Sequence, residues 1–173
     1  AAVLNAAHHG MGMDALDAAL SDWQEVVTTN VVWNFAIARH AARSMAVGTA
    51  GGAILFVGSI LCRRAIRQRS AYIASKGALS GLTKALAVEL GPKRIRVNCL
   101  LAGPIQTVRW DGISPGERKA KLDRAPLRDA AQPDDIGEAA WFLCSDAARH
   151  ITGAELAVDD GLDAQLLPSE TGP

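Results

Sequence analysis

Charge of one sign is what this 173-residue chain lacks. Eighteen Lys and Arg face eighteen Asp and Glu, a formal net charge of zero. No global basic field is available to grip nucleic acid or an anionic membrane; only local patches could do so. Cysteine is scarce: Cys62, Cys99 and Cys144 are scattered, odd in number and form no Cys-x-x-Cys pair. That pattern excludes a disulfide framework and a zinc site, and it reads as reduced thiols in a cytoplasmic protein. Apolar runs fall far short of the roughly 20 residues of a membrane helix. No basic-apolar-small leader opens the chain. It starts at Ala1 and enters an apolar run at once, as though it began inside a fold. At 49% hydrophobic and 21% charged, with 7 Pro, the composition is that of one globular domain long enough to bury a core.

Strand-like and helix-like segments alternate. Ala1–Asn5 is a short apolar run compatible with a buried strand, followed by a glycine-containing loop over His8–Met13. Ser21 can cap a helix that the spacing of Trp23, Val26, Val27, Val31, Phe35, Ala38 and Ala42 carries to about Met45. Gly48–Gly52 breaks it. Ala53–Val57 is continuously apolar and stopped by Gly58, the pattern of a strand buried on both faces. A helix is expected over Ser70–Leu90, ended by Gly91-Pro92, and a strand over Arg96–Leu101. Residues 106–131 read as polar and irregular, Pro133 opens a helix to about Ala148, and Glu155–Val158 is a last strand. This alternation implies a parallel sheet in an α/β layer fold, without repeats or a linker. Ligands of such sheets bind outside the carboxyl ends of the strands.

Tyr72, the chain's only tyrosine, stands four residues before Lys76 near the start of a predicted helix, so phenol and ammonium can share one face. An ammonium nearby stabilises phenolate and suits tyrosine to proton transfer at a substrate oxygen; alone, the pair also fits an ordinary helix surface. Ser59 directly follows a predicted buried strand, where its hydroxyl would reach the ligand edge and help polarise a carbonyl or alkoxide. Asn30 is a poor helix former placed mid-helix, either a satisfied amide or a site residue.

The segment Tyr72-Ile-Ala-Ser-Lys76-Gly-Ala resembles the signature of the short-chain dehydrogenase/reductase family. The likeness extends in order over nearly the whole chain. Asn5-Ala6-Ala7-His8 is similar to a degraded form of the family's turn after its fourth strand. Trp23 with Asn30 resembles the helix of the active-site asparagine, and Gly58-Ser59 the serine position. Ala102-Gly103-Pro104-Ile105-Gln106-Thr107 resembles the segment beside the nicotinamide, and Pro133–Ile136, Ile151–Gly153 and Val158–Gly161 the C-terminal signatures.

The resemblance implies a Rossmann-like, doubly wound parallel sheet, truncated at its N-terminus to about four strands, within one partial domain spanning 1–173. It implies an oxidoreductase that interconverts a secondary alcohol and a carbonyl by hydride transfer with NAD or NADP. Tyr72 would be the general acid/base. Lys76 would lower the Tyr72 pKa and hold the nicotinamide ribose, Ser59 would bind the substrate oxygen, and Asn30 would anchor a water-linked relay. Asn5, Ala102, Gly103, Ile105 and Thr107 would line the cofactor, and 106–131 would cover the substrate. A homo-oligomer is implied as well, with neither nucleic acid nor membrane as a partner.

The family's glycine-rich first half has no counterpart here. Gly10-Met-Gly12-Met-Asp-Ala15 fits a phosphate fingerprint in letters, but no second strand follows at the required distance, and it reads as a loop. The expectation is therefore a fragment that binds dinucleotide poorly, or alternatively a non-catalytic subunit or oligomerisation module. His8 and His9 receive no role. Arg63, Arg64, Arg67 and Arg69 form either a solvated loop or a clamp for an acidic substrate.

Overall fold

The structure, a computed structural model, describes residues 1–10, 12 and 14–165. Four strands, β1 (Ala2–Leu4), β2 (Gly52–Ser59), β3 (Ile95–Ala102) and β4 (Glu155–Val158), form one sheet in the order β1-β2-β3-β4, with every pairing parallel. The helices are α1 (Leu20–Val27), α2 (Asn34–Ala46), α3 (Ser70–Leu90), α4 (Pro115–Leu122) and α5 (Pro133–Cys144). Side chains alternate along β2, so each face of the sheet needs its own cover. Ile54 and Phe56 pack with Leu4, Val97 and Leu101 against Ala38 and Ala42 of α2 and Leu79 and Leu86 of α3. Leu55 and Leu100 point the other way, onto Leu143 and Ile136 of α5. This is the doubly wound arrangement expected. Full burial of side chains such as Phe56 and Leu100 contributes about 1.5–3 kcal/mol each.

Gly58 does not end β2. The strand runs through it to Ser59, and an added Cβ would stand 2.7 Å from the Cys99 sulfur on β3. The glycine is there because the neighbouring strand's side chains leave no room.

The single helix expected to Met45 is interrupted. A π turn over Thr28–Trp33 separates α1 from α2. Its buried side is not the Val31–Phe35 face: Phe35 is 39% exposed, while Val26, Asn30, Asn34, Ala38 and Ala42 are buried. Residues 106–131 are less irregular than expected. Ser114 and Glu117 close a capping box on α4, and Trp110 is buried under the cations of Arg118 and Lys121. At the other end, α5 stops at Cys144. Ser145 is extended there, its hydroxyl donating to the Phe142 carbonyl, and a 3₁₀ turn takes the chain to Ala148.

Candidate active site

Register brings the ligand edge together. Ser59 lies opposite Ala102, and Ala102 opposite Val158, so β2, β3 and β4 end on one line. Lys76 and Tyr72, one turn apart on α3, face that line; they are 3% and 9% exposed. The Lys76 ammonium donates to the Val57 carbonyl at 2.7 Å and sits 5.6 Å from the centre of the Tyr72 ring. The Ser59 hydroxyl accepts from the Leu61 N–H at 3.2 Å.

Burial governs both titrating groups. It raises the Tyr72 phenol above its ordinary value, against the opposing pull of the Ser59 hydroxyl and the charges of Arg69 and Arg109. It pushes Lys76 down to about 8. Removing the phenol from water outweighs the pull of the neighbouring cations.

Asn30 is fully buried, and its side chain is occupied. Its Oδ1 accepts from the His8 N–H at 2.6 Å, and its Nδ2 donates to the His8 carbonyl and to Ser75 Oγ, each at 2.9 Å. Ser75 in turn donates to the Tyr72 carbonyl at 2.7 Å. Asn34 Nδ2 donates to the Asn30 carbonyl at 2.9 Å and to the Ala6 carbonyl at 3.2 Å. Two asparagines are tolerated on a buried helix face because each hydrogen-bonds the segment after β1.

The remaining expected site residues cluster at the same edge. Asn5 is exposed just past β1, and Ala102 is the last residue of β3. The Gly103 N–H donates to the Val158 carbonyl, Ile105 bridges to Ala131, and Thr107 Oγ1 caps the turn Val108–Trp110. A concavity of about 360 Å³ lined by Ala15, Ala18, Leu20, Trp23 and Ser70 opens beside the start of α3. A hollow of about 640 Å³, lined in part by Gly52, Arg94 and Ile95, lies at the amino ends of β2 and β3, the far end of the sheet from Tyr72. Among the described residues no cluster of three or more His, Cys, Asp or Glu could hold a metal, and no helix is long and apolar enough to cross a membrane.

The arginine cluster behaves as neither reading foresaw. Arg63 pairs with Glu155 and Asp163, and Arg64 also reaches Asp163, at 3.3 Å, so these two guanidiniums tie the loop after β2 to the segment around β4. Arg69 turns towards the site, donating to the His9 carbonyl at 3.0 Å. Sequence reasoning missed two groups there. The His9 ring stacks on Tyr72, with centroids 5.6 Å apart and planes 18° from parallel, and Arg109 reaches His9 Nε2 at 2.7 Å. For His9 the one available signal was its place at the carboxyl end of β1; for Arg109 there was none.

A parallel sheet covered on both faces, with serine, tyrosine and lysine converging at its carboxyl edge, defines the class: a Rossmann-type oxidoreductase fold. The family model described as enoyl-(acyl carrier protein) reductase matches residues 1–163. The chain is 34% identical over 155 residues to a 3-oxoacyl-[acyl-carrier-protein] reductase of Chlamydia trachomatis, covering 88% of this chain and 62% of that protein. It is 38% identical over 154 residues to galactitol 2-dehydrogenase (L-tagatose-forming) of Cereibacter sphaeroides, covering 86% and 59%. A solved structure of 4-hydroxyisoleucine dehydrogenase complexed with NADH superposes with a TM-score of 0.88 at 30% identity, over 94% of this chain and 68% of that one. The chain belongs to the short-chain dehydrogenase/reductase family. It spans about three fifths of the length of these two curated relatives.

Proposed function

We propose that this chain carries the catalytic end of an NAD(P)-dependent oxidoreductase acting on a secondary alcohol or the corresponding carbonyl. The observation that supports it most is the convergence of Tyr72, Ser59 and Lys76 at the carboxyl edge of β2 and β3. The residues present suit the nicotinamide end of the cofactor. Lys76 is 3% exposed, yet Val57 is the one hydrogen-bond acceptor its three-proton ammonium has among the described residues, which leaves donors for ribose hydroxyls. Asn5, Ala102, Gly103, Ile105 and Thr107 would line the same end.

When bound, the nicotinamide supplies or accepts the hydride. Tyr72 would give its proton to the carbonyl oxygen on reduction and take it back on oxidation, while Ser59 holds that oxygen by a hydrogen bond. Lys76 would return Tyr72 to its protonated form. Asn30 would act by fixing the backbone of His8 and, through Ser75, that of Tyr72; the water-linked relay assigned to it would use its carbonyl, which already accepts from Asn34. Residues 106–131 would cover the substrate. Free thiols at Cys62, Cys99 and Cys144 fit a cytoplasmic location, and the exposed apolar face Val32, Trp33 and Ile37 fits a homo-oligomer.

The 173 residues alone are expected to hold the dinucleotide weakly. The glycine-containing loop between β1 and α1 is followed by a long helical stretch instead of the second strand that a dinucleotide fingerprint needs. Micromolar NADH affinity by calorimetry would refute that part. The catalytic reading is tested in the longest gene product containing this chain, by following reduced nicotinamide with secondary alcohols. Tyr72→Phe should cut turnover about 10²–10⁴-fold with the fold intact; unchanged turnover would overturn the assignment.

A further inference from the structure

Charge is distributed unevenly around Tyr72. Arg63 and Arg64 both pair with carboxylates, whereas Arg69, Lys76 and Arg109, which converge on Tyr72 and His9, have no acid within ion-pair distance among the described residues. His9 does not neutralise them. A guanidinium can only donate, so the 2.7 Å contact leaves Nε2 as the acceptor and the ring unprotonated there. Burial and the charges of Arg109, Arg69 and Lys76 all lower the His9 pKa and keep the ring neutral. Arg109 is exposed, but its backbone is held. It sits on the turn Val108–Trp110, which Thr107 caps and the buried Trp110 anchors. Its contact with His9 uses one of its five N–H donors, and Arg69 likewise spends one on the His9 carbonyl.

We infer that Arg109, with Arg69 behind it, forms a subsite for an oxyanion of the substrate, so that the alcohol or ketone reacting at Tyr72 carries a carboxylate or a phosphate ester. The inference rests on the oxidoreductase reading above and adds the substrate's chemical class to it. Guanidiniums take both oxyanions through paired N–H donors. Arg109 touches the edge of the imidazole that stacks on the Tyr72 ring, so an oxyanion held there lies beside the substrate oxygen at Tyr72. The acidic-substrate reading thus moves from Arg63 and Arg64, which are already paired, to Arg69 and Arg109.

The test compares three secondary alcohols, 3-hydroxybutyrate, glycerol 3-phosphate and uncharged 2-butanol. Each is titrated into the longest gene product containing this chain while the His9 ring resonances are followed, and then offered to it as a substrate with NAD⁺ or NADP⁺. One of the two anions is expected to bind at least about tenfold more tightly than 2-butanol, a charge-assisted contact of the usual size, and which one it is names the oxyanion. Arg109→Gln should erase that preference and Arg109→Lys should keep part of it. Equal binding of all three probes, or a preference indifferent to Arg109→Gln, would overturn the inference. So would a variant whose loss is confined to NADH affinity, since the guanidinium would then serve the dinucleotide. The two readings fail differently. Turnover of 2-butanol as fast as that of both anions would leave an oxidoreductase without this subsite. Arg109-dependent anion binding without turnover of any alcohol would leave the subsite and remove the oxidoreductase.

Discussion

Replacing Asn30 by alanine should release the segment after β1. Asn30 has no exposed surface, and its amide makes three hydrogen bonds, two to the His8 backbone and one to Ser75. A typical intramolecular hydrogen bond contributes about 1 kcal/mol net. The His8 groups are only partly buried and can regain water, and Ser75 keeps its bond to the Tyr72 carbonyl, so no large penalty for orphaned groups is added. The small void left by the amide adds about a further 1 kcal/mol. The expected loss is about 3–4 kcal/mol, or roughly 6–15 °C in Tm for a domain of this size, measured by urea and thermal melts. Asn30→Asp is the sharper probe. It keeps an acceptor for the His8 N–H but sets an oxygen against the His8 carbonyl, and buries a charge. Burial raises such a carboxyl's pKa, so its deficit should be largest at neutral pH and shrink on acidification, as the acid form regains a donor. An alanine variant within about 0.5 kcal/mol of wild type, inside the usual range for inconsequential surface changes, would refute the claim that Asn30 pins this segment.

Further outcomes can be measured in the same way. Because Lys76 is lowered to about 8 from 10.5, the unfolded chain binds the extra proton between those values, so stability should rise with pH across that window, by about 3 kcal/mol. The rise should be absent in Lys76→Met; parallel pH profiles would count against it. Arg63 holds the Glu155 carboxyl, which burial alone would raise, and that of Asp163 below their ordinary values. Arg63 is 42% exposed and solvent screens it, so Arg63→Ala should cost only about 1–2 kcal/mol at pH 7. That cost should fade as pH drops through the lowered values; a deficit undiminished in acid would show that packing, not charge, was lost. An alanine Cβ at Gly103 would meet the Asp159 Cα at 2.5 Å, so Gly103→Ala should destabilise by about 1–3 kcal/mol. Gly77, inside α3 with nothing within 4 Å of an added Cβ, should gain about 0.5–1 kcal/mol on the same change; equal effects would undo the steric argument.

The strands could be read because burial on both faces writes itself as an apolar run, as in Ala53–Val57, although β2 runs on through Gly58 to Ser59 and β3 to Ala102. Ser59 and Ala102 could still be placed on one edge before their register was known. The capping letters Ser114 and Glu117 were equally present, but charge around them hid α4. The partners of Arg63 were not legible: Glu155 lies 92 residues away and Asp163 100, and no local pattern links them. His9 and Arg109 escaped for the same reason, being 100 residues apart and joined only by the fold. The π turn was masked by valines and aromatics that mimic an ordinary helical stripe while facing outward.

That turn sets the helix in time, like a beat inserted into a measure. The buried positions 26, 30, 34, 38 and 42 recur every fourth residue, and each step of four oversteps a 3.6-residue turn by about 40°. Four such steps in an unbroken α-helix would carry Ala42 about 160° away from Val26, nearly to the opposite side. One surplus residue in the ladder takes back about 100° of that drift. Closing the Thr28–Trp33 ladder as plain α-helix at its present length would swing Ala38 and Ala42 off the sheet, whereas deleting one residue there would also remove the π turn but leave both facing it. The stretch tolerates a change of length only in that one step.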